Sequence, residues 1–129
     1  MSDFQDVFNT INNTKDTTAS YSPDDVGRNK GMAILAYFGL LVLIPLLAAR
    51  DSKFARFHSN QGLILAIVEV LLSAIFVPLG WIPLVGWIFR VIYGLIGIPL
   101  LILAILGIIN AANGRAKELP IIGGIHLIN

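Results

Sequence analysis

The sequence predicts an all-α fold, an integral membrane bundle of three transmembrane helices with an N-terminal amphipathic segment and interfacial loops. Apolar residue types make up 56% of the 129 residues and charged types only 13%, an apolar excess that an ordinary soluble surface does not tolerate and that lipid must cover. The stretches 31–49, 62–77 and 88–109 together contain two charges, Glu69 and Arg90. Between the second and third lie two prolines, two glycines and two tryptophans, Trp81 and Trp87, a composition that suits a tight turn with indole rings at headgroup level.

Three regions follow: a polar tail over 1–21, a membrane domain over 22–114 and an interfacial tail over 115–129. In the first, Phe4, Val7, Phe8 and Ile11 recur at i, i+3, i+4 and i+7 behind Ser2 and Asp3. That spacing predicts a short amphipathic helix, roughly residues 3 to 13, lying on the membrane surface or docked on a partner. A frayed end is the alternative, because short isolated helices are marginal in water. The acidic, polar start lacks the pattern of a secretory signal, so none is expected.

Ser22, Pro23, Asp24 and Asp25 supply an N-cap, a first-turn proline and early acids, so a helix should begin there and run into the membrane. Its uncharged part, 31–49, matches the hydrocarbon thickness of about 30 Å, with Pro45 as a kink site. Residues 50–61 are expected to form an interfacial loop, in which Lys53 and Arg56 meet lipid phosphates while Phe54 and Phe57 dip below them. The second span, 62–77, is short. The third, 88–109, is long and contains Pro99. The apolar tail after it is too short to cross as a helix.

Glu69 stands near the middle of the second span, where an ionised carboxylate costs a few kcal/mol. It shares a helical stripe with Gly62, Ala66 and Ser73, which suits close packing against another helix. Arg90 either pairs with Glu69 or snorkels to the interface; the sequence leaves both open. Gly97, Ala104 and Ala111 form a second small-residue seam. His58 and His126 are isolated at ligand spacing, so neither metal nor cofactor is predicted. With no cysteine, thiolate chemistry is absent. No catalytic constellation can be assembled, and an enzyme is not predicted. Nine basic against eight acidic residues also give no basis for nucleic-acid binding.

With three spans, Arg50, Lys53, Arg56, Arg115 and Lys117 share one side, against Lys15, Arg28 and Lys30 on the other, or four there when Arg90 is counted. The positive-inside rule then predicts a multi-pass cell-membrane protein with a cytoplasmic C-terminus and an external N-terminus.

The segment Asp51-Ser-Lys-Phe-Ala-Arg-Phe-His58-Ser-Asn-Gln61-Gly62, preceded by Ala36-Tyr37 and Ile44-Pro45 and followed after the third span by Gly114-Arg-Ala-Lys-Glu-Leu-Pro120-Ile-Ile-Gly123, resembles a prokaryotic family of small membrane proteins of unknown function. That family is distantly akin to the chloroplast inner-envelope protein-import component (Tic-twenty-like). The resemblance covers about residues 28 to 125 and implies that His58, Gln61 and the preceding aromatics are shared loop elements.

The expected function is that of a non-enzymatic bacterial membrane protein acting through helix contacts, as an accessory or scaffold subunit that associates with itself or with another membrane protein. Two rivals stand beside it. One is an oligomeric channel or transporter component with Glu69 facing the pathway; the other is a lipid-responsive protein that uses Lys53, Phe54, Arg56 and Phe57 as its sensor.

Overall fold

The computed structural model describes residues 2–128. It is all-helical: α1 (Ser2–Ile11), α2 (Pro23–Leu35), α3 (Leu43–Ala48), α4 (Lys53–Gly80) and α5 (Gly86–Ala112), with 3-10 turns at Thr18–Ser20 and Gly39–Val42. Among the described residues two helices, α4 and α5, are long and apolar enough to cross a membrane. At 28 and 27 residues each is about 40 Å long at 1.5 Å per residue, more than the hydrocarbon thickness. They form an antiparallel pair joined by the turn at 81–85.

The expected first span does not form one continuous helix. α2 starts as predicted, with Ser22 as its cap and Pro23 in its first turn, but it bends at Asn29 and ends at Leu35. Gly39 then takes a left-handed φ of +60°, a conformation glycine adopts without steric cost. Pro45 is the third residue of α3, a first-turn position whose N–H would have no acceptor within the helix, so it fits the start of the returning segment. The segment therefore goes in and comes back.

Three contacts fix this path. The Asp25 carboxylate accepts a 3.0 Å bond from the Phe54 amide, Gly62 lies against Ala36, and Gly39 lies beside Glu69. Thus α2 runs alongside α4 from its first turn to about its middle, and α3 returns the chain to Ser52, the cap of α4. Backbone clearance is what permits the approach: a Cβ at Gly62 would fall on the Ala36 carbonyl, and one at Gly107 would fall on the Tyr37 ring.

Residues 53–61 are also helical, not the predicted loop. Ser52 accepts from the Ala55 amide at 3.0 Å and, with Asp25, caps this end. Phe54 and His58 are fully buried on the face that Gln61 and Leu65 continue, so a segment whose charges suggested a loop is the first part of α4.

α1 forms as the periodicity predicts and docks on its own bundle. Val7, Phe8 and Ile11 face Ile102, Ile105 and Ile109 of α5 across an apolar cavity of about 240 Å³. The buried side chains of Asn12 and Asn110 exchange two amide hydrogen bonds of 3.1 Å. The Ser2 and Phe4 side chains, expected as cap and stripe, lie outside the described part.

Candidate functional site

One end of the bundle gathers most of its polar structure. Residues 14–18 pair with 115–118: the Thr17 amide donates to the Ala116 carbonyl (3.0 Å), the Glu118 amide to Lys15 (3.0 Å), and Arg115 meets Asp16 at 2.5 Å. Burial would raise the Asp16 carboxyl, but hydrogen bonds from Thr18 and Arg115 outweigh it and hold the group below the usual carboxylate range. Since 14–18 bonds directly to 115–118, the two lie at the same end, which corrects the expectation of opposite sides.

Three of four consecutive residues of α4, His58, Asn60 and Gln61, hold the tail that follows α5. His58 lies between Tyr37 and Arg115, with Nδ1 2.5 Å from the Tyr37 hydroxyl and Nε2 2.9 Å from the Arg115 carbonyl. A carbonyl only accepts, so Nε2 carries the hydrogen and the neutral Nδ1 accepts from Tyr37. Phe54 and Phe57 stand edge-on to the same imidazole, with ring centres 4.8 and 5.1 Å away.

Asn60 donates to the Ile125 carbonyl (2.8 Å) and accepts from the Leu127 and Ile128 amides. Gln61 accepts from the Leu119 amide (2.8 Å) and donates to the Gly123 carbonyl (3.0 Å). Such bonds satisfy backbone groups of an irregular segment that would otherwise be buried unpaired. Chemically this is a clasp. Both imidazole nitrogens of His58 are engaged, and among the described residues no group of three or more His, Asp or Glu is placed to hold a metal.

Asp25 completes this end. Burial alone would raise its carboxyl; hydrogen bonds from Ser52, the Phe54 amide, Asn29 and the Lys53 amide prevail and keep it below the usual range.

The remaining predicted residues are distributed as follows. Glu69 is partly buried beside Gly39. Arg90 is exposed at the far turn, folded over Gly80 with Trp81 and Trp87 nearby, and no ion pair joins it to Glu69 among the described residues. Of the packing residues, Gly62, Ala66, Ala104 and Ala111 are buried, and the Ser73 hydroxyl bonds the Tyr93 hydroxyl across the α4–α5 seam. Gly97 faces open space. Phe54 is in the core, so it does not dip into lipid. Lys53 is exposed, while Arg56 and Phe57 are half-buried.

Sequence reasoning took His58, Asn60 and Gln61 as hydrogen-bonding residues but missed the partner Tyr37, the capping of α4 by Asp25 and the Asn12–Asn110 pair. The signal available was His58-Ser-Asn-Gln61, four polar residues at the head of an apolar run, which demand buried hydrogen-bonding partners if that run is packed.

The sequence pattern of the magnetosome magnetite crystal formation protein family, MamF/MmsF, matches residues 28–128, the part of the chain that contains the clasp and the tail it holds. The chain belongs to this family. Among MamF/MmsF relatives, magnetosome protein MamF of Paramagnetospirillum magneticum is 38% identical over 93 residues, covering 71% of this chain and 77% of the relative. Magnetosome protein MmsF of the same organism is 36% identical over 99 residues, 76% and 85% of the two chains. A UPF0132 membrane protein of Methanocaldococcus jannaschii is 34% identical over 100 residues, 74% of this chain and 64% of the relative. The prokaryotic membrane-family resemblance thus resolves to MamF/MmsF, and kinship with the chloroplast import component finds no support among these relatives. No solved structure matches the chain.

Proposed function

We propose that this chain is a non-enzymatic integral membrane protein that works as an accessory or scaffold subunit through helix contacts, with two crossing helices and one re-entrant helical hairpin. The observation that carries this reading is the path of α2 and α3, which leaves and rejoins the same end of α4. Non-helical backbone at membrane depth is tolerated where protein covers it, and Ala36, Tyr37 and Val42 at the break are buried.

In this arrangement eight of the nine basic residues lie at the end that holds residues 12–20 and the tail, and Arg90 alone lies at the other. Five against three or four becomes eight against one. The positive-inside rule then assigns both 12–20 and 115–128 to the cytoplasm.

The relatives' names point to a setting: a magnetosome membrane, in a family described by magnetite crystal formation. The turn 81–87 contains no carboxylate, the oxygen ligand that hard cations prefer. A role in organising the membrane and its proteins therefore suits this chain better than contact with mineral through that turn. Gly94 and Gly97 on α5, with open space over both, leave a small-residue strip for a neighbouring helix, from a second copy or another membrane protein. A conducting role is the second reading, and the carboxylate of Glu69 beside the helix break is what favours it.

The absence of native cysteine makes the topology directly testable. Single cysteines at Ala19, Leu84 and Asn113 would be probed with an impermeant maleimide before and after permeabilisation. Leu84→Cys is expected to react from the outside and the other two only after permeabilisation. Ala19→Cys and Asn113→Cys on opposite sides would restore three spans and overturn the re-entrant reading. Native mass in mild detergent tests the second part: a stable complex with another membrane protein supports the accessory role, whereas a ring that conducts ions in liposomes supports the pore.

A further inference from the structure

Two cavities open side by side at the charged end, around Lys53. One, of about 570 Å³, is lined by Asp24, Asp25 and Asp51 with Arg28 and Lys53, a balance that does not favour anions. The other, of about 680 Å³, sets the exposed Arg50 and Lys53 against one carboxylate, Asp51. Its other walls set Tyr21, Phe57 and Ile128 beside the polar Ser20, Asn60 and His126. Tyr21 and Phe57 stand edge to face with ring centres 6.0 Å apart, and Ile128 closes the side toward the tail.

We propose that this second cavity binds the headgroup of an anionic phospholipid, with the exposed Arg50 and Lys53 on the phosphate and with Tyr21, Phe57 and Ile128 against the glycerol and the first methylenes. Guanidinium and ammonium groups are the usual partners of phosphate oxygens. Depth fits as well: Lys53 stands nine residues ahead of Gly62, where the apolar run of α4 begins, about 14 Å along the axis and so on the headgroup side of the hydrocarbon. The aromatic and aliphatic part of the lining, Tyr21, Phe57 and Ile128, separates a lipid from free phosphate, which would gain nothing from it.

The cavity is composite. Its far wall, His126 and Ile128, belongs to the tail that Asn60 holds through the Ile125 carbonyl and the Leu127 and Ile128 amides. The clasp thus builds part of the site, and a loosened tail opens it.

The test uses the full chain in mild detergent, titrated separately with phosphatidylglycerol, phosphatidylcholine and inorganic phosphate, and read by native mass and thermal midpoint. Phosphatidylglycerol is expected to bind at concentrations at least about tenfold below phosphatidylcholine. An Arg50→Gln/Lys53→Gln variant should weaken it by about ten- to thirtyfold, at about fivefold for each basic group. Arg90→Gln, at the opposite end, should change nothing. Both substituted residues are exposed, and an unchanged midpoint in lipid-free detergent verifies that the variant folds. Equal binding of the two lipids, saturation by inorganic phosphate at the same concentration, or an unchanged affinity in the double variant would each overturn the proposal.

Discussion

Buried polar side chains at the head of an apolar helix are tolerable when they are paired, and in this chain the pairing of His58, Asn60 and Gln61 is what ties the tail down. Truncating Gln61 leaves the Leu119 amide and the Gly123 carbonyl without partners, at about 1–3 kcal/mol for each group left unmade. Gln61→Ala is therefore expected to raise amide hydrogen exchange across residues 119–125 while sparing α5. Equal exchange in the two forms would show that the clasp is not what orders this segment. Asp25 gives the acid limit of stability. Its carboxyl is depressed in the folded state, so the stabilisation it brings is complete above the unfolded value of about 3.9 and is lost as pH falls through the lower folded value. The thermal midpoint should drop on acidification below about pH 4, and Asp25→Asn should flatten that limb while lowering the midpoint at neutral pH. At this scale the sequence exposed the unusual residues, Glu69, Arg90 and His58, but not their surroundings. No spacing rule connects His58 to Arg115 or Asn12 to Asn110, because those contacts depend on how distant segments fold back.

Among the elements, α4 and α5 were legible because uninterrupted hydropathy of that length is rare outside a membrane-crossing helix. The start of α2 was legible from its cap, but the break between α2 and α3 was not, since hydropathy measures how apolar a stretch is and says nothing about whether the chain reverses within it. The reversal uses the positive φ of Gly39, and Pro45 falls in the first turn of the helix that follows it. Placing 53–61 in a loop failed for a related reason: lysine and arginine are compatible with a helix whose other face carries Phe54 and His58. The tightest point of the hairpin is Gly62 against Ala36. Gly62→Leu should force α2 away from α4 at about 1–3 kcal/mol or more, lowering the thermal midpoint, whereas Gly97→Leu on the open face should leave it nearly unchanged. Equal effects would argue that α2 does not seat there.

For the molecule as a whole, Glu69 and Arg90 act apart. Glu69 sits beside the hairpin tip and Arg90 beside the far turn, so the alternative of mutual neutralisation is not the one the chain adopts. A Glu69→Gln variant is expected to fold, keep its native mass and retain whatever partner co-purifies with the parent. Loss of an ion flux with folding intact would instead support the conducting role. The distribution of charge also bears on how such a chain enters a bilayer. If one end keeps eight of nine cations on the side of synthesis, the segment of this sequence that must be carried across is the turn from Trp81 to Trp87, which has no charged side chain, followed closely by Arg90. The work of translocation is then little more than the desolvation of a few turn peptides and one guanidinium. A helical hairpin with that load enters as a unit, and the membrane potential, negative inside, resists only that single charge.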